Sequence, residues 1–193
     1  MNARIRVATE NDAAGIQAIY APIVAHSSIS FEIEAPTISE IQARIHKTLV
    51  QYPWIVCELN QKIIGYAYGS AFRLRPAYQW SAEVSVYVDS EFYGRGIGKS
   101  LYKSLFELLK IQGYYIAVGG ITLPNKGSVA IHKSLGFKPV AVFNSIGFKL
   151  GAWHDIGFWQ LELKPHILNP TAPIPLSQLA ESHSKSPIFE LQM

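Results

Sequence analysis

The sequence predicts an α/β fold with a central mixed, mostly antiparallel sheet flanked by helices. Three observations predict it. Segments with apolar residues at three- and four-residue spacing interleave with short apolar or alternating runs, so helices and strands follow one another. Several strands are joined by short turns, which suit antiparallel pairs. One strand, Ala82-Glu83-Val84-Ser85-Val86-Tyr87-Val88, leads through Tyr93-Gly94-Arg95-Gly96-Ile97-Gly98-Lys99 into an amphipathic helix, a strand–turn–helix unit of a layered α/β domain.

Taken in order, Arg4-Ile5-Arg6-Val7-Ala8 alternates and reads as the first strand. Asn11 or Asp12 then caps a helix whose buried face is Ile16, Ile19, Tyr20 and Ile23. Ser39 followed by Gln42 has the spacing of a capping box and opens a second helix, with Ile41, Ile45 and Leu49 inward. Strands at 55–59 and 63–70 meet at the turn Asn60-Gln61-Lys62. In the strand 82–88, Val84, Val86 and Val88 face one side and Glu83, Ser85 and Tyr87 the other. The helix after the glycines carries Leu101, Tyr102, Leu105, Phe106, Leu108 and Leu109 and stops at Gly113. A strand at 117–121 follows, then a short helix begun by Asn125 or Ser128. That helix ends at Gly136 with Phe137 behind it, the pattern of a Schellman stop. Strands at 138–146 and 153–163 close the domain. From Pro165 the chain is polar and broken by Pro170, Pro173, Pro175 and Pro187, which reads as extended or poorly ordered chain, or as chain packed on the surface.

Composition limits the function classes. A chain of 193 residues with 49% hydrophobic and 16% charged residues is long and apolar enough for one substantial core. A net charge of +3, without a Lys/Arg run, does not point to nucleic acid. One cysteine, Cys57, sits in an apolar run and reads as a small core residue; it allows no internal disulfide. No Cys/His cluster has metal-ligand spacing, so no metal is expected. Neither a signal core nor a membrane-spanning window is visible, so a cytoplasmic protein without membrane partners is expected.

The glycine turn carries the first functional signal. Alternating Gly94, Gly96 and Gly98 let the backbone turn tightly and present N–H groups to an anion, with a helix N-terminus behind them. Arg95 and Lys99 add positive charge. The spacing fits neither the Rossmann nor the Walker pattern.

The turn resembles motif A of the GCN5-related N-acetyltransferases (GNATs), Gln/Arg-x-x-Gly-x-Gly/Ala, with Tyr93 standing where Gln or Arg is usual. The stretch from Leu123 through Asn125 to Gly136-Phe137 is similar to that family's motif B. The resemblance implies a sheet splayed at an acetyl-CoA site. Pyrophosphate would lie on the amides of Gly94, Arg95, Gly96, Ile97, Gly98 and Lys99. Pantetheine would pair with Val86, Tyr87 and Val88, and Asn125 would touch its flank. Tyr52-Pro53-Trp54, the loop from Arg73 to Glu83, and the stretch from Gly147 through Lys149 to Trp153-His154-Asp155-Ile156-Gly157-Phe158-Trp159-Gln160 resemble the phosphinothricin and methionine sulfoximine acetyltransferase branch. That resemblance implies an acetyltransferase domain over 1–164, a Pro-rich tail over 165–193, a homodimer, and a small amino-acid-like acceptor.

Acetyl transfer from a thioester to an amine needs the neutral amine, so a base must take its proton. Glu83 is the candidate; its other reading is an ion pair with Arg73 or Arg75. Those two arginines suit an acceptor carboxylate or phosphinate, which guanidinium grips as a fork, or they form a solvated pair. Tyr78 either donates to the same anion or packs. Phe31 walls the pocket or belongs to the core. His132 stands where many family members have a tyrosine that protonates the departing thiolate; a capping or surface role is its alternative. His154 and Asp155 are adjacent on a strand and point apart, which argues against a catalytic pair. Three functions stay open: acetylation of an amino-acid analogue by direct attack, acetylation of another small amine, or a non-catalytic acetyl-CoA-binding module.

Overall fold

In the computed structural model, residues 3–182 and 190–192 are described. The elements are β1 (Arg4–Val7), α1 (Ala13–His26), α2 (Ile38–Gln51), β2 (Trp54–Leu59), β3 (Lys62–Ala71), β4 (Ser81–Val88), α3 (Ile97–Gln112), β5 (Ile116–Leu123), α4 (Lys126–Ser134), β6 (Lys138–Lys149), β7 (Ala152–Glu162), α5 (Leu176–Ser182) and β8 (Glu190–Gln192). One sheet holds all the strands in the order β6-β7-β5-β4-β3-β2-β1-β8. Only β4 and β5 run parallel; the other neighbours are antiparallel. This is the mixed, mostly antiparallel sheet the sequence predicts.

Each face of the sheet has its own core. On one side Val84, Ala117 and Ile121 pack with Leu101, Tyr102, Leu105 and Leu109 of α3. On the other, α1 and α2 bring Ile16, Ile19, Ile41 and Ile45 onto Val56, Ile63 and Tyr66. An aromatic ladder runs through this second layer: Trp54 stacks on Tyr68 at 4.5 Å, and Tyr66 stacks on Tyr87 at 5.2 Å. Cross-strand register puts Tyr66 beside Tyr87, Tyr68 beside Ser85 and Ser70 beside Glu83. The ladder therefore supports the face of β4 that carries Glu83. Cys57 is buried, and burial pushes its thiol up to about 11. Among the described residues, no helix is long and apolar enough to cross a membrane.

Local chemistry explains the helix ends. α4 is capped by Asn125, whose Oδ1 accepts from Ser128 N at 3.0 Å. Its far end is a Schellman stop: Phe137 N donates to His132 O at 3.0 Å and Gly136 N to Lys133 O at 3.1 Å, with Gly136 at φ +90°. At α2 the expected cap is displaced. Thr37 and Glu40, not Ser39 and Gln42, form the capping box, with Thr37 N donating to the Glu40 carboxylate at 2.7 Å. Both pairs have the right spacing; a glutamate gains more than a glutamine from the positive helix end.

Part of the tail packs on the domain, the second of the two forms expected for it. Leu176 and Leu179 are buried in α5, which packs on α2. Pro187 lies outside the described residues.

Candidate active site

β4 and β5 pair at only three register positions, Ser81 with Ile116, Ala82 with Ala117 and Glu83 with Val118. Beyond these, β5 stays with β7 as far as Leu123, and β4 stays with β3 up to Val88. Among the described residues, the β5-facing main-chain groups of 84–88 have no strand partner. An open strand edge of this kind is a template for another extended chain.

The resulting cleft widens into a cavity of about 460 Å³, lined by residues 86–88 and 94–98 and, opposite them, by Asn125, Ser128 and Ile131. Gly94 (φ +74°) and Gly96 (φ +80°) occupy left-handed backbone, and a Cβ on either would meet nothing within 4 Å. Their glycine identity thus answers to the backbone turn. Gly98 answers to packing: a Cβ there would stand 3.1 Å from Ile131 Cδ1. Ile97 buries its side chain in the core, so only its main chain serves the turn. α3 starts here, and the amides of its first turn lack helical acceptors, which favours an anion.

Around the turn, the Arg95 guanidinium lies over the Phe92 ring at 5.1 Å. Tyr93 is 58% exposed at the cavity edge. Lys99 lines a neighbouring groove with Lys103 rather than the cavity itself. Asn125 caps α4 with its oxygen, which leaves its amide nitrogen uncommitted on the cavity wall.

Glu83 is the last β4 residue paired to both neighbouring strands, so it stands where the cleft begins. Its side chain is half-buried. Gly120 leaves room beside it: a Cβ there would lie 3.8 Å from Glu83 Oε1. Burial pushes the Glu83 carboxyl above the ordinary range, and the positive charge of Arg73 pulls it partly back. This is the environment of a carboxylate that takes up a proton more readily than an exposed one.

Of the acceptor candidates, the structure brings Arg73 into the field of Glu83. Arg73 also stacks on Phe72 at 4.7 Å, and Tyr78 meets the same ring edge-on at 5.9 Å. Arg75 caps the 3₁₀ turn Pro76–Tyr78 with its main chain, and its side chain is exposed. Phe31 comes from the α1–α2 loop and seats its ring on Gly147, where a Cβ would overlap it. His154 and Asp155 separate as expected. His154 Nε2 donates to Lys149 O at 3.0 Å, while Asp155 Oδ1 accepts from Ser145 N at 2.7 Å.

His132 is not at the cavity wall. It is 2% exposed, ringed by Tyr102, Phe137 and Trp159, and a Cβ on Gly119 would stand 2.5 Å from its Nε2. The Ser128 carbonyl, 2.8 Å from Nδ1, can only accept, so the ring proton sits on Nδ1. Burial lowers the pKa of His132 and keeps it neutral at pH 7. Its Nε2, facing the Tyr102 hydroxyl at 3.4 Å, has no proton to give. These contacts favour a packing role for His132 over the expected acid role.

Two residues escaped the sequence reading. Lys149 has no role assigned from the sequence, yet it is 4% exposed and donates to Val24 O at 2.6 Å and Ser30 O at 2.7 Å. Trp80, at the end of the loop over 73–80, accepts at its carbonyl from Tyr115 N at 2.9 Å and donates its indole N–H to Thr171 O at 2.8 Å.

Comparison with known proteins agrees with this geometry. The model of the acetyltransferase (GNAT) domain matches residues 5–157. A phosphinothricin N-acetyltransferase of Streptomyces viridochromogenes is 34% identical, covering 88% of this chain and 93% of its own length. An L-methionine sulfoximine/L-methionine sulfone acetyltransferase of Salmonella typhimurium is 32% identical, covering 84% of this chain and 95% of its own. The crystal structure of a phosphinothricin acetyltransferase from Sinorhizobium meliloti, solved with acetyl-CoA, superposes with a TM-score of 0.84 at 33% identity, covering 89% of this chain and 94% of that one. A strand splayed beside a glycine turn, with a carboxylate at the head of the cleft, is thus found in a chain that belongs to the GNAT acetyltransferase family.

Proposed function

We propose that this enzyme acetylates the α-amino group of a small amino-acid analogue such as phosphinothricin or methionine sulfoximine, using acetyl-CoA, by direct attack with Glu83 as general base. The observation that carries the reading is the unpaired edge of β4 running from Glu83 to the glycine turn. The residues fit acetyl-CoA. The free main chain of Val86, Tyr87 and Val88 suits the amides of pantetheine, and the glycine turn at the start of α3 suits pyrophosphate. Asn125 offers its free amide nitrogen from the opposite wall. When bound, acetyl-CoA supplies the acetyl group as a thioester. Glu83 accepts the ammonium proton, the freed nitrogen bonds to the acetyl carbon as the carbon–sulfur bond breaks, and the departing thiolate takes up the second proton that nitrogen sheds, so the products are the neutral amide and the free thiol. Arg73 and Arg75 hold the acceptor's anionic end, with Tyr78 and Phe31 as walls.

Release of free thiol from acetyl-CoA, screened over amino acids and their phosphinate and sulfoximine analogues, tests this directly. Thiol release with phosphinothricin or methionine sulfoximine is the expected result; none with either would overturn it. In the same assay Arg75→Ala is expected to raise the acceptor KM about tenfold or more, as loss of one charge-assisted hydrogen bond to an anion does. The KM for acetyl-CoA should stay within about twofold. An unchanged acceptor KM would remove Arg75 from the anion clamp.

We also propose a homodimer built on β6. This edge strand exposes Val140, Val142, Phe143, Ile146 and Phe148, and Trp153 beside it is 64% exposed. An apolar, uncovered edge strand is an association surface. Sedimentation equilibrium should give twice the 21.5 kDa chain mass. Trp153→Asp should shift the population to monomer.

A further inference from the structure

We infer that residues 171–179 form a strap that holds the acceptor loop in its binding position, acting through Trp80. The inference rests on the reading of residues 72–80 as the acceptor clamp. It starts from how little else holds that loop. Residues 73–79 are exposed. Their bonds are internal: Tyr78 N to Arg75 O, Gln79 N to Pro76 O, and Arg73 Nη1 to the Phe72 carbonyl. Among the described residues, the one side-chain hydrogen bond from this loop to another part of the chain is Trp80 Nε1 to Thr171 O, at 2.8 Å. Trp80 is thus held twice. Its carbonyl accepts from Tyr115 and Ile116 at the start of β5, and its indole is tied to the strap.

The strap itself is well anchored. Gln112, 1% exposed at the end of α3, donates to Gln51 O at 2.6 Å and to Ile174 O at 2.9 Å. Ile174 N returns a bond to Gln112 O at 2.7 Å, satisfying one of the carbonyls left over at the helix end. Pro173 passes over the left-handed Gly113 that ends α3, at ordinary contact distance from where a Cβ would stand. Ser177 Oγ donates to Val50 O at 3.1 Å, and Leu176 and Leu179 are buried. Pro170, Pro173 and Pro175 reduce the freedom the segment loses on docking. The strap lies C-terminal to the matched family domain. A segment rigidly docked on α2 and α3 therefore holds the last residue of the loop, Trp80, and fixes its exit into β4, the strand of Glu83.

The test uses the full chain and two variants. Trp80→Phe keeps a ring and removes the N–H; Leu176→Ala loosens the strap far from the loop. Two readouts separate the strap from the clamp. The first is tryptic nicking at Arg73–Leu74, which reports loop mobility without any acceptor; the Arg75–Pro76 bond resists trypsin. The second is the KM for phosphinothricin against kcat and the KM for acetyl-CoA. Both variants are expected to nick about fivefold faster and to raise the acceptor KM by a similar factor, the worth of one neutral hydrogen bond. The KM for acetyl-CoA should be unchanged, which general destabilisation would not leave so. Unchanged nicking in both variants overturns the strap. Faster nicking with an unchanged acceptor KM overturns the clamp reading instead and leaves the strap's hold on the loop supported.

Discussion

Glu83→Gln is expected to lower kcat by about two to three orders of magnitude, the usual contribution of a positioned general base. Acetyl-CoA affinity should not change, because the free edge of β4 and the glycine turn are main-chain features that the substitution leaves alone. Gln fills the same space beside Gly120 but cannot take a proton at neutral pH. Isothermal titration with CoA and single-turnover acetyl transfer separate binding from chemistry. Retained turnover would remove Glu83 as the base. The pH profile carries a second check. Burial raises the Glu83 pKa, so its base form disappears as pH falls through a value above that of an exposed glutamate. The acid limb of kcat/KM should therefore lie higher than an exposed carboxylate would give, and Glu83→Gln should abolish that limb.

The same shift has a stability consequence of opposite sign. A carboxyl whose pKa is higher folded than unfolded binds more protons in the native state over the window between the two values. Its contribution is complete below the unfolded pKa and is lost as pH rises through the folded one. At pH 7 the ionised Glu83 is thus a cost to folding, and Glu83→Gln should be at least as stable as the parent. Less activity without less stability is the signature of a group held in place for chemistry.

What could be read from the sequence is what local geometry fixes. Gly94, Gly96 and Gly136 announce left-handed backbone, and all three adopt it. The alternation of β4 put Glu83 on the face opposite Val84 and Val86, where the structure has it. Family motifs extended this to the cleft. The features that escaped are settled by partners far along the chain. His132 looks like an exposed polar residue of a short helix until Phe137, Trp159 and Tyr102 close around it. α5 is short and follows prolines, and its apolar pair Leu176 and Leu179 is explained only by burial against α2. Lys149 bonds to carbonyls 125 and 119 residues away, so no window of sequence contains its environment.

Lys149→Met is the substitution expected to cost most in stability. Its ammonium lies between the C-terminal turn of α1, where Val24 O is one of the last carbonyls, and Ser30 O in the α1–α2 loop. A cation there satisfies both acceptors and opposes the negative end of the helix. Methionine fills much of the volume but leaves two buried carbonyls without donors, each worth about 1–3 kcal/mol. Relief from burying a charge offsets part of this. A net loss of about 3 kcal/mol should lower Tm by about 6–12 °C for a chain of this size. The loop also carries Phe31, whose ring is seated on Gly147, so the acceptor KM should rise as well. The alkaline side gives an independent signature. Burial lowers the Lys149 pKa in the folded protein, so between that value and the unfolded one the unfolded chain holds more protons. Parent stability relative to Lys149→Met should therefore rise with pH through this window, because a neutral lysine still donates to both carbonyls and no longer carries a desolvated charge. The buried tyrosines titrate in both proteins and cancel in the difference. Thermal melts from pH 7 to pH 10 would show the two Tm curves diverging; curves that coincide would place Lys149 outside the structural core.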